Sequence, residues 1–175
     1  MVGKSRIFLD AGRVAGRVRE LAGMVRGYYA AFPAGECAAI WLEEGAAVFA
    51  RNLMSEAGLG IPLSPVRASS YGDSLSSSGV VEISGKLPDV RSKRVLLIDD
   101  ILDTGATAKA LVSLLNSSGA AEVKTCFLLN KRSKNGGTPE PDFCGFDIPD
   151  FYVFGYGLDL RGGMRELPDI WRLEQ

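Results

Sequence analysis

The sequence predicts an α/β fold in which helices flank a parallel, twisted sheet. Two apolar runs, residues 37–42 and 95–98, are short and unbroken, which is typical of strands covered on both faces. Each run leads through a short turn into a segment with helical spacing of apolar residues, the first over residues 46–56. A third apolar run, residues 123–129, follows the second helical segment. This alternation predicts that the turns after the strands meet along one edge of a parallel sheet.

The remaining elements follow from local patterns. Residues 10–29 carry apolar side chains on one helical stripe, which predicts an amphipathic helix whose arginines form a solvated face. Residues 63–68 and 80–83 are typical of strands. The intervening stretch, about residues 69–80, is too small and polar to pack a core. A long loop inside one domain is usually a lid, and we predict a mobile lid here, with a disordered hairpin tip as the alternative.

Composition excludes several classes of protein. The 175 residues fit one domain, and 20 Lys and Arg against 21 Asp and Glu leave no basic excess for nucleic acid. Histidine is absent, which excludes a histidine base or a Ser-His-Asp triad. Cys37, Cys126 and Cys144 form no CxxC pair, so we expect reduced thiols. Residues 1–9 lack a signal-peptide core and no apolar run has membrane-spanning length, which predicts a cytoplasmic protein without membrane contact.

The second strand leads into a carboxylate-rich turn. Asp99, Asp100 and Asp103 follow its apolar run, and the small residues Thr104, Gly105, Ala106 and Thr107 then open a helix. Backbone N–H groups and the positive end of a helix dipole favour an anion such as phosphate. Carboxylates beside a phosphate need a partner, such as a sugar diol or Mg²⁺. The turn therefore predicts a phosphorylated sugar, with magnesium as a possible companion.

Three other interpretations of these acids are weaker. Asp and Gly are common in ordinary turns, but here they join a buried strand to a helix. The acids also match the diphosphate-binding motif of terpenoid synthases, which lies on a helix of a larger all-helical protein. A response-regulator receiver would carry its acids on the first strand, whereas these lie past the middle of the chain.

Residues 95–107 closely resemble the phosphoribosyl-pyrophosphate signature of type I phosphoribosyltransferases, and residues 142–168 resemble the hypoxanthine-guanine branch of that family. The resemblance extends over about residues 10–173. It implies one phosphoribosyltransferase domain, residues 1–175, with a core over about 34–135. A small hood would comprise about residues 136–175 and part of the N-terminus.

The resemblance implies an enzyme of purine salvage. It would move the 5-phosphoribosyl group of phosphoribosyl pyrophosphate to N9 of hypoxanthine or guanine, with xanthine as a further candidate. The products would be IMP or GMP and pyrophosphate, Mg²⁺ would be the cofactor, and the protein would form a homodimer or homotetramer. Two alternatives stay open: a non-catalytic nucleotide-binding regulator on the same fold, or a phosphoribosyltransferase for a different base, xanthine or a pyrimidine.

The resemblance also implies roles for the residues that match the family's motifs. The sugar and its 5′-phosphate would contact Asp99, Asp100, Asp103, Thr104, Gly105, Ala106 and Thr107. Asp103 would be the catalytic proton-transfer group facing purine N7. In the base site, Lys131 would hold the 6-oxo group, Tyr152 would stack on the purine, Val153 would offer backbone groups and Asp159 would lie near C2. The expected metal ligands are Asp99, Asp100 and Asp159.

Two further segments have implied roles. Glu43, Glu44 and Gly45 would form the pyrophosphate loop, together with Arg165, and the sequence departs from the family pattern at Glu44. Two carboxylates beside a pyrophosphate should repel it unless they point away or hold magnesium. The pair Ser70-Tyr71 matches the start of the family's lid, which closes over the reacting centre and excludes water.

Overall fold

The computed structural model describes residues 4–70, 81–84, 87–134 and 140–174. In these ranges the chain forms three α-helices and nine strands. In chain order they are β1 (Ser5–Leu9), α1 (Ala11–Tyr29), β2 (Cys37–Glu43), α2 (Ala47–Ala57), β3 (Leu63–Ser70), β4 (Val81–Ser84), β5 (Arg94–Leu102), α3 (Ala106–Ser117), β6 (Glu122–Asn130), β7 (Phe143–Asp147), β8 (Val153–Phe154) and β9 (Ile170–Leu173). A short 3₁₀ helix, Ala34–Glu36, precedes β2.

The strands form two sheets. The larger sheet has the order β4-β3-β2-β5-β6-β7, and its strands are parallel except β4, which runs antiparallel to β3. The smaller sheet has the order β1-β9-β8 and is antiparallel, so it joins the two ends of the chain. The carboxyl ends of β2, β5, β6 and β7 consequently lie along one edge of the larger sheet, as predicted from the strand and helix alternation.

The larger sheet is covered on both faces. In β5, Leu96 and Ile98 belong to a buried cluster with side chains of α1 and α2. Val95 and Leu97 belong to a second buried cluster, with Leu111 and Leu115 of α3 among others. This alternation follows from the two-residue period of a strand. It explains why the sequence of β5 shows an unbroken apolar run.

Helix α1 begins and ends almost where its apolar stripe predicts. Asp10 caps it, because its Oδ1 accepts a hydrogen bond of 2.9 Å from the backbone N–H of Arg13. The side chains of Val14, Val18 and Leu21 are buried on the stripe that faces the sheet. Among the described residues, no helix combines the length and the apolar character that crossing a membrane requires.

The ends of β5 and β3 lie further along the chain than the sequence predicts. Strand β5 continues to Leu102 because it keeps pairing with β6, with Asp99 opposite Phe127 and Ile101 opposite Leu129. Asp99 and Asp100 therefore lie in the strand, and the turn begins only at Asp103. The predicted lid falls largely outside the described residues: Ser70 is the last residue of β3, where it pairs with Val81, and Tyr71 is not described.

Candidate active site

A cavity of about 320 Å³ lies at the carboxyl edge of the larger sheet. The sheet contributes Gly45 after β2, Asp100 and Ile101 of β5, Asp103 after β5, and Lys131 after β6. The opposite wall comes from the C-terminal segment, residues 152–165. The cavity is thus the place where several strand ends meet, which is where open α/β sheets bind their ligands.

Two glycines allow close packing of the backbone at this edge of the sheet. A Cβ atom on Gly45 would lie 1.8 Å from Oδ2 of Asp100. Gly157 has a φ of +100°, and a Cβ atom there would lie 2.2 Å from the carbonyl oxygen of Gly45. No larger residue fits either position without displacing its neighbour. The turn after β2 therefore lies directly against both the Asp100 carboxylate and the C-terminal segment.

Asp99 and Asp100 point to opposite faces of β5, because successive side chains of a strand alternate. Asp100 lines the cavity, whereas Asp99 is buried and is not among the lining residues. Oδ1 of Asp99 accepts from the N–H of Asp100, and Oδ1 of Asp100 accepts from the N–H of Ile101, both at 2.9 Å. Burial raises the pKa of both carboxyls, and for Asp99 the neighbouring charge of Asp100 adds to the effect.

Two lysines and two carboxylates form a cluster at the base of the cavity. Lys131 is 7% exposed, and its Nζ lies 3.3 Å from Oδ2 of Asp103 and 3.2 Å from Oδ1 of Asp150. Nζ of Lys134 lies 3.0 Å from Oδ2 of Asp150 and 3.8 Å from Oδ1 of Asp103. The hydrogen bond from Lys134 lowers the pKa of Asp150, with a further contribution from Lys131. The cluster holds the Lys131 ammonium between two carboxylates.

Asp150 and Lys134 were missed by the sequence analysis. Lys134 stands one turn after Lys131, and its N–H donates to the carbonyl of Lys131. That spacing was visible in the sequence and could have indicated a shared site. Asp150 follows Ile148 and Pro149 and reaches the cluster only through the path of the chain after β7, for which the sequence gives no direct signal.

At the mouth of the cavity, a second cluster surrounds Arg165. Nη1 of Arg165 donates to the carbonyl of Gly157 at 2.7 Å, and Nη2 lies 3.3 Å from both Oε2 of Glu44 and Oδ1 of Asp159. Nε of Arg67 lies 2.6 Å from Oε2 of Glu43, and Nη2 of Arg67 lies 4.0 Å from Oε1 of Glu44. The peptide bond between the two glutamates is cis. The structure thus pairs both carboxylates with arginines, an arrangement that the expectation of simple repulsion did not include.

The C-terminal wall presents an aromatic ring to the cavity. Tyr152 is 49% exposed, and its hydroxyl donates to the carbonyl of Asp159 at 2.8 Å. Oδ2 of Asp159 accepts from the N–H of Gly162 at 2.9 Å. Val153 is buried in β8, beside the ring. The hydrogen bonds fix Asp159 while they leave a face of Tyr152 accessible to a ligand.

The chain is similar in sequence to proteins of known function. Residues 8–161 match the family described as the phosphoribosyl transferase domain. The chain belongs to the phosphoribosyltransferase family. It is 33% identical over 172 residues to the hypoxanthine-guanine phosphoribosyltransferase of Aquifex aeolicus, a match that covers 98% of this chain and 96% of the relative. The corresponding protein of Bacillus subtilis is 34% identical over 167 residues, covering 94% of this chain and 91% of that protein.

Solved structures of the same family are similar to this chain. A hypoxanthine phosphoribosyltransferase from Staphylococcus aureus is similar to this chain with a TM-score of 0.90 and 30% identity, covering 99% of this chain and 92% of that one. The predicted family and the predicted fold class, a parallel sheet flanked by helices in the type I phosphoribosyltransferase fold, are therefore confirmed.

The residues predicted to bind the 5′-phosphate lie at the start of α3. Gly105 precedes the helix with a φ of +78°, a conformation that suits glycine. Ala106 is the first helical residue, and Thr104 Oγ1 lies 3.4 Å from its backbone nitrogen. These residues follow Asp103 directly but do not line the 320 Å³ cavity. They place the N-terminus of a helix next to the cavity, where helix geometry favours an anion.

The carboxylates that line the cavity suit a magnesium ion that is also bound by the substrate. Among the described residues, no three His, Cys, Asp or Glu side chains are grouped closely enough to hold a metal by themselves. Asp100 and Asp159 line the same cavity, whereas Asp99 does not. Mg²⁺ commonly binds through one or two carboxylates, several waters and the phosphates of its substrate. The donors present fit a metal that arrives with a polyphosphate.

The structure therefore brings part of the predicted site together in one cavity. The predicted residues that line this cavity are Gly45, Asp100, Asp103, Lys131, Tyr152, Val153, Asp159 and Arg165. Glu44 reaches the same cavity through Arg165, whereas Glu43 pairs with Arg67 on β3. The roles assigned to these residues stay predictions.

Proposed function

We propose that the chain transfers the 5-phosphoribosyl group of phosphoribosyl pyrophosphate to N9 of hypoxanthine or guanine, with xanthine as a further candidate. The products are IMP or GMP and pyrophosphate. The family and the names of its relatives support this class of reaction. The assignment of a 6-oxopurine as the base rests on one observation in the cavity, the 3.3 Å contact between Lys131 and Asp103.

This contact pairs a donor with an acceptor at the spacing that a 6-oxopurine needs. The 6-oxo group and N7 occupy neighbouring positions on one edge of the purine, the former accepting and the latter, when protonated, donating. Lys131 can only donate, and an ionised Asp103 can only accept. Adenine carries a donor amino group at C6, which would oppose the Lys131 ammonium. The pair therefore favours a 6-oxopurine over adenine.

Tyr152 positions the flat ring. It lines the cavity with Lys131, and its hydroxyl is already bonded to the carbonyl of Asp159, so the ring is held in place before the base arrives. An exposed aromatic face can stack on a purine at little conformational cost. Backbone groups near Val153 would read the C2 edge, with Asp159 close by.

The sugar lies between the base and the helix N-terminus. We assign its 5′-phosphate to the N–H groups and hydroxyls of residues 104–107 at the start of α3, where a helix favours an anion. Asp100, whose carboxylate faces the cavity, would accept hydrogen bonds from the ribose diol. Asp99 would support this position from behind, since its Oδ1 accepts from the N–H of Asp100.

Arg165 would bind the pyrophosphate at the other end of the ribose. Its guanidinium lines the cavity and matches the geometry of phosphate oxygens. Asp100 and Asp159 would hold Mg²⁺ together with the substrate. Bound Mg²⁺ would neutralise charge on the pyrophosphate as it leaves.

The chemistry is a single displacement at C1′ of the ribose. The bond between C1′ and a pyrophosphate oxygen breaks, the pyrophosphate keeps the electron pair, and N9 of the purine bonds to C1′. The proton on N7 passes to Asp103. Asp103 lines the cavity, where its carboxylate can accept that proton. The Asp100 carboxylate would stabilise positive charge that develops on the sugar.

A pyrophosphate-release assay tests the proposal. Phosphoribosyl pyrophosphate and Mg²⁺ are supplied with hypoxanthine, guanine, xanthine or a pyrimidine in turn, and IMP binding is measured in parallel by calorimetry. We expect release with 6-oxopurines. IMP binding without turnover on any base would indicate the regulator, and turnover on a pyrimidine alone would indicate a different acceptor. The regulator's main support was the acidic turn, whose carboxylates the structure pairs with Arg67 and Arg165.

We also propose that the enzyme acts in the cytoplasm as a homodimer or homotetramer. The three cysteines are free, and Cys37 and Cys126 are buried, as suits a reducing compartment. The assembly rests on the family resemblance, and light scattering on the purified chain tests it.

A further inference from the structure

The guanidinium of Arg165 is shared by two carboxylates at one nitrogen. Nη2 lies 3.3 Å from Glu44 and 3.3 Å from Asp159, while Nη1 is fixed to the carbonyl of Gly157. An anionic ligand that used Nη2 would have to displace one of these two carboxylates, because a single N–H₂ group has two protons to donate.

Glu44 is the carboxylate that is held less firmly. Its side chain is 63% exposed, against 38% for Asp159. Asp159 is also fixed by the N–H of Gly162, which donates to its second oxygen. Partly exposed ion pairs are weak, so the contact of Glu44 with Arg165 can open.

Glu44 also has a second cation within reach. Nη2 of Arg67 lies 4.0 Å from its Oε1, whereas Arg165 contacts its Oε2. Arg67 stands opposite Glu43 in the parallel pairing of β2 and β3, and it is held there by the 2.6 Å contact with Glu43. A Glu44 carboxylate that leaves Arg165 therefore keeps a partner.

We propose that Glu44 competes with pyrophosphate for Arg165 and lowers the affinity of the cavity for pyrophosphate relative to nucleotide. This rests on the proposed function, in which Arg165 faces the pyrophosphate. In the free enzyme Glu44 occupies Nη2 of Arg165. When pyrophosphate binds, Glu44 turns to Arg67, and when pyrophosphate leaves, Glu44 returns. The product nucleotide carries its phosphate at the start of α3, so its binding does not require this exchange.

The test compares two ligands in four proteins. Dissociation constants for inorganic pyrophosphate and for IMP are measured by calorimetry at fixed free Mg²⁺ and again without Mg²⁺. Glu44→Gln removes the competing charge and keeps the side-chain shape. Arg67→Gln removes the alternative partner of Glu44. The matched control is Glu36→Gln, because Glu36 is 59% exposed and lies 3.9 Å from Arg94, at the edge of the larger sheet where β2 and β5 begin.

We expect Glu44→Gln to tighten pyrophosphate binding by about two- to fivefold, the range that partly exposed ion pairs span, with IMP binding unchanged. Arg67→Gln should weaken pyrophosphate binding, since Glu44 then stays on Arg165. Glu36→Gln should match the wild type for both ligands. The KM for phosphoribosyl pyrophosphate should follow the pyrophosphate affinity.

Unchanged pyrophosphate affinity in Glu44→Gln would overturn the inference. So would weaker binding in Glu44→Gln that appears only with Mg²⁺, because Glu44 would then recruit the metal. A wild-type protein that binds neither IMP nor pyrophosphate would instead refute the proposed function. The two failures are therefore distinguishable.

Discussion

The buried ammonium of Lys131 gives the strongest prediction about specificity. Lys131→Met keeps the length and apolar stem of the side chain and removes the charge. In the structure, Nζ lies 3.3 Å from Oδ2 of Asp103, and at an effective dielectric near 20 this charge pair interacts by about 5 kcal/mol before desolvation. The net value of a hydrogen bond to a charged group is smaller, about 1.5–3 kcal/mol.

The base should lose the same kind of bond when it meets the variant. A loss of about 1.5–3 kcal/mol in the transition state corresponds to a fall in kcat/KM of about 10- to 150-fold. We therefore expect that fall for hypoxanthine in Lys131→Met. Adenine should remain a poor substrate, because the variant offers no acceptor for its amino group.

The assay is steady-state kinetics with hypoxanthine and with adenine, alongside thermal unfolding to check that the variant folds. Lys134→Met is the matched control, since Lys134 belongs to the same cluster but is 43% exposed and does not line the cavity. Its kcat/KM for hypoxanthine should stay within a few-fold of wild type. A kcat/KM of Lys131→Met within twofold of wild type, or an equal loss of activity in both variants, would refute the role of Lys131 in binding the base.

Three further predictions concern turnover and stability. Asp103→Asn should lower kcat by about 10²–10⁴-fold and leave IMP affinity within a few-fold, and an unchanged kcat would exclude Asp103 as the proton acceptor. Gly45→Ala should lower kcat/KM at least about tenfold, because its Cβ atom would lie 1.8 Å from a carboxylate oxygen of β5. Gly35→Ala, whose Cβ atom would meet nothing within 4 Å, should behave as wild type, and equal activity in both variants would contradict the argument. Burial opposes ionisation of Asp142, but hydrogen bonds from Lys124 and from Thr125 lower its pKa below the ordinary 3.8. Asp142→Asn should therefore lower Tm by about 2–4 °C at pH 7, for a loss of roughly 1 kcal/mol. This difference should vanish as the pH falls through the folded pKa, and a pH-independent difference in calorimetry would refute it.

The sequence predicted the layered core because burial periodicity is a local property. The stripe of Val14, Val18 and Leu21 and the unbroken run in β5 each record which faces are covered. The end of β5 was misplaced because pairing with β6 continues past the apolar run to Leu102. That pairing depends on the register of two strands, which the residues of β5 alone do not specify.

The site could be predicted to the extent that it lies at strand ends. Asp103 and Lys131 each follow a strand of a parallel sheet, so their meeting follows from topology. The contact of Asp150 with Lys131 depends on a loop path, and that of Glu44 with Arg165 joins residues far apart in the chain. Such contacts give Glu44 cationic partners that its position in the sequence does not indicate.

A competition experiment tests the central claim most directly. The wild-type protein is incubated with phosphoribosyl pyrophosphate, Mg²⁺ and equal concentrations of hypoxanthine and adenine, and the nucleotides and pyrophosphate are separated by chromatography. We predict that IMP and pyrophosphate form in equal amounts and that AMP formation stays at background. Formation of AMP at a comparable rate, or consumption of neither base, would contradict the assignment of Lys131 and Asp103 as the pair that reads a 6-oxopurine.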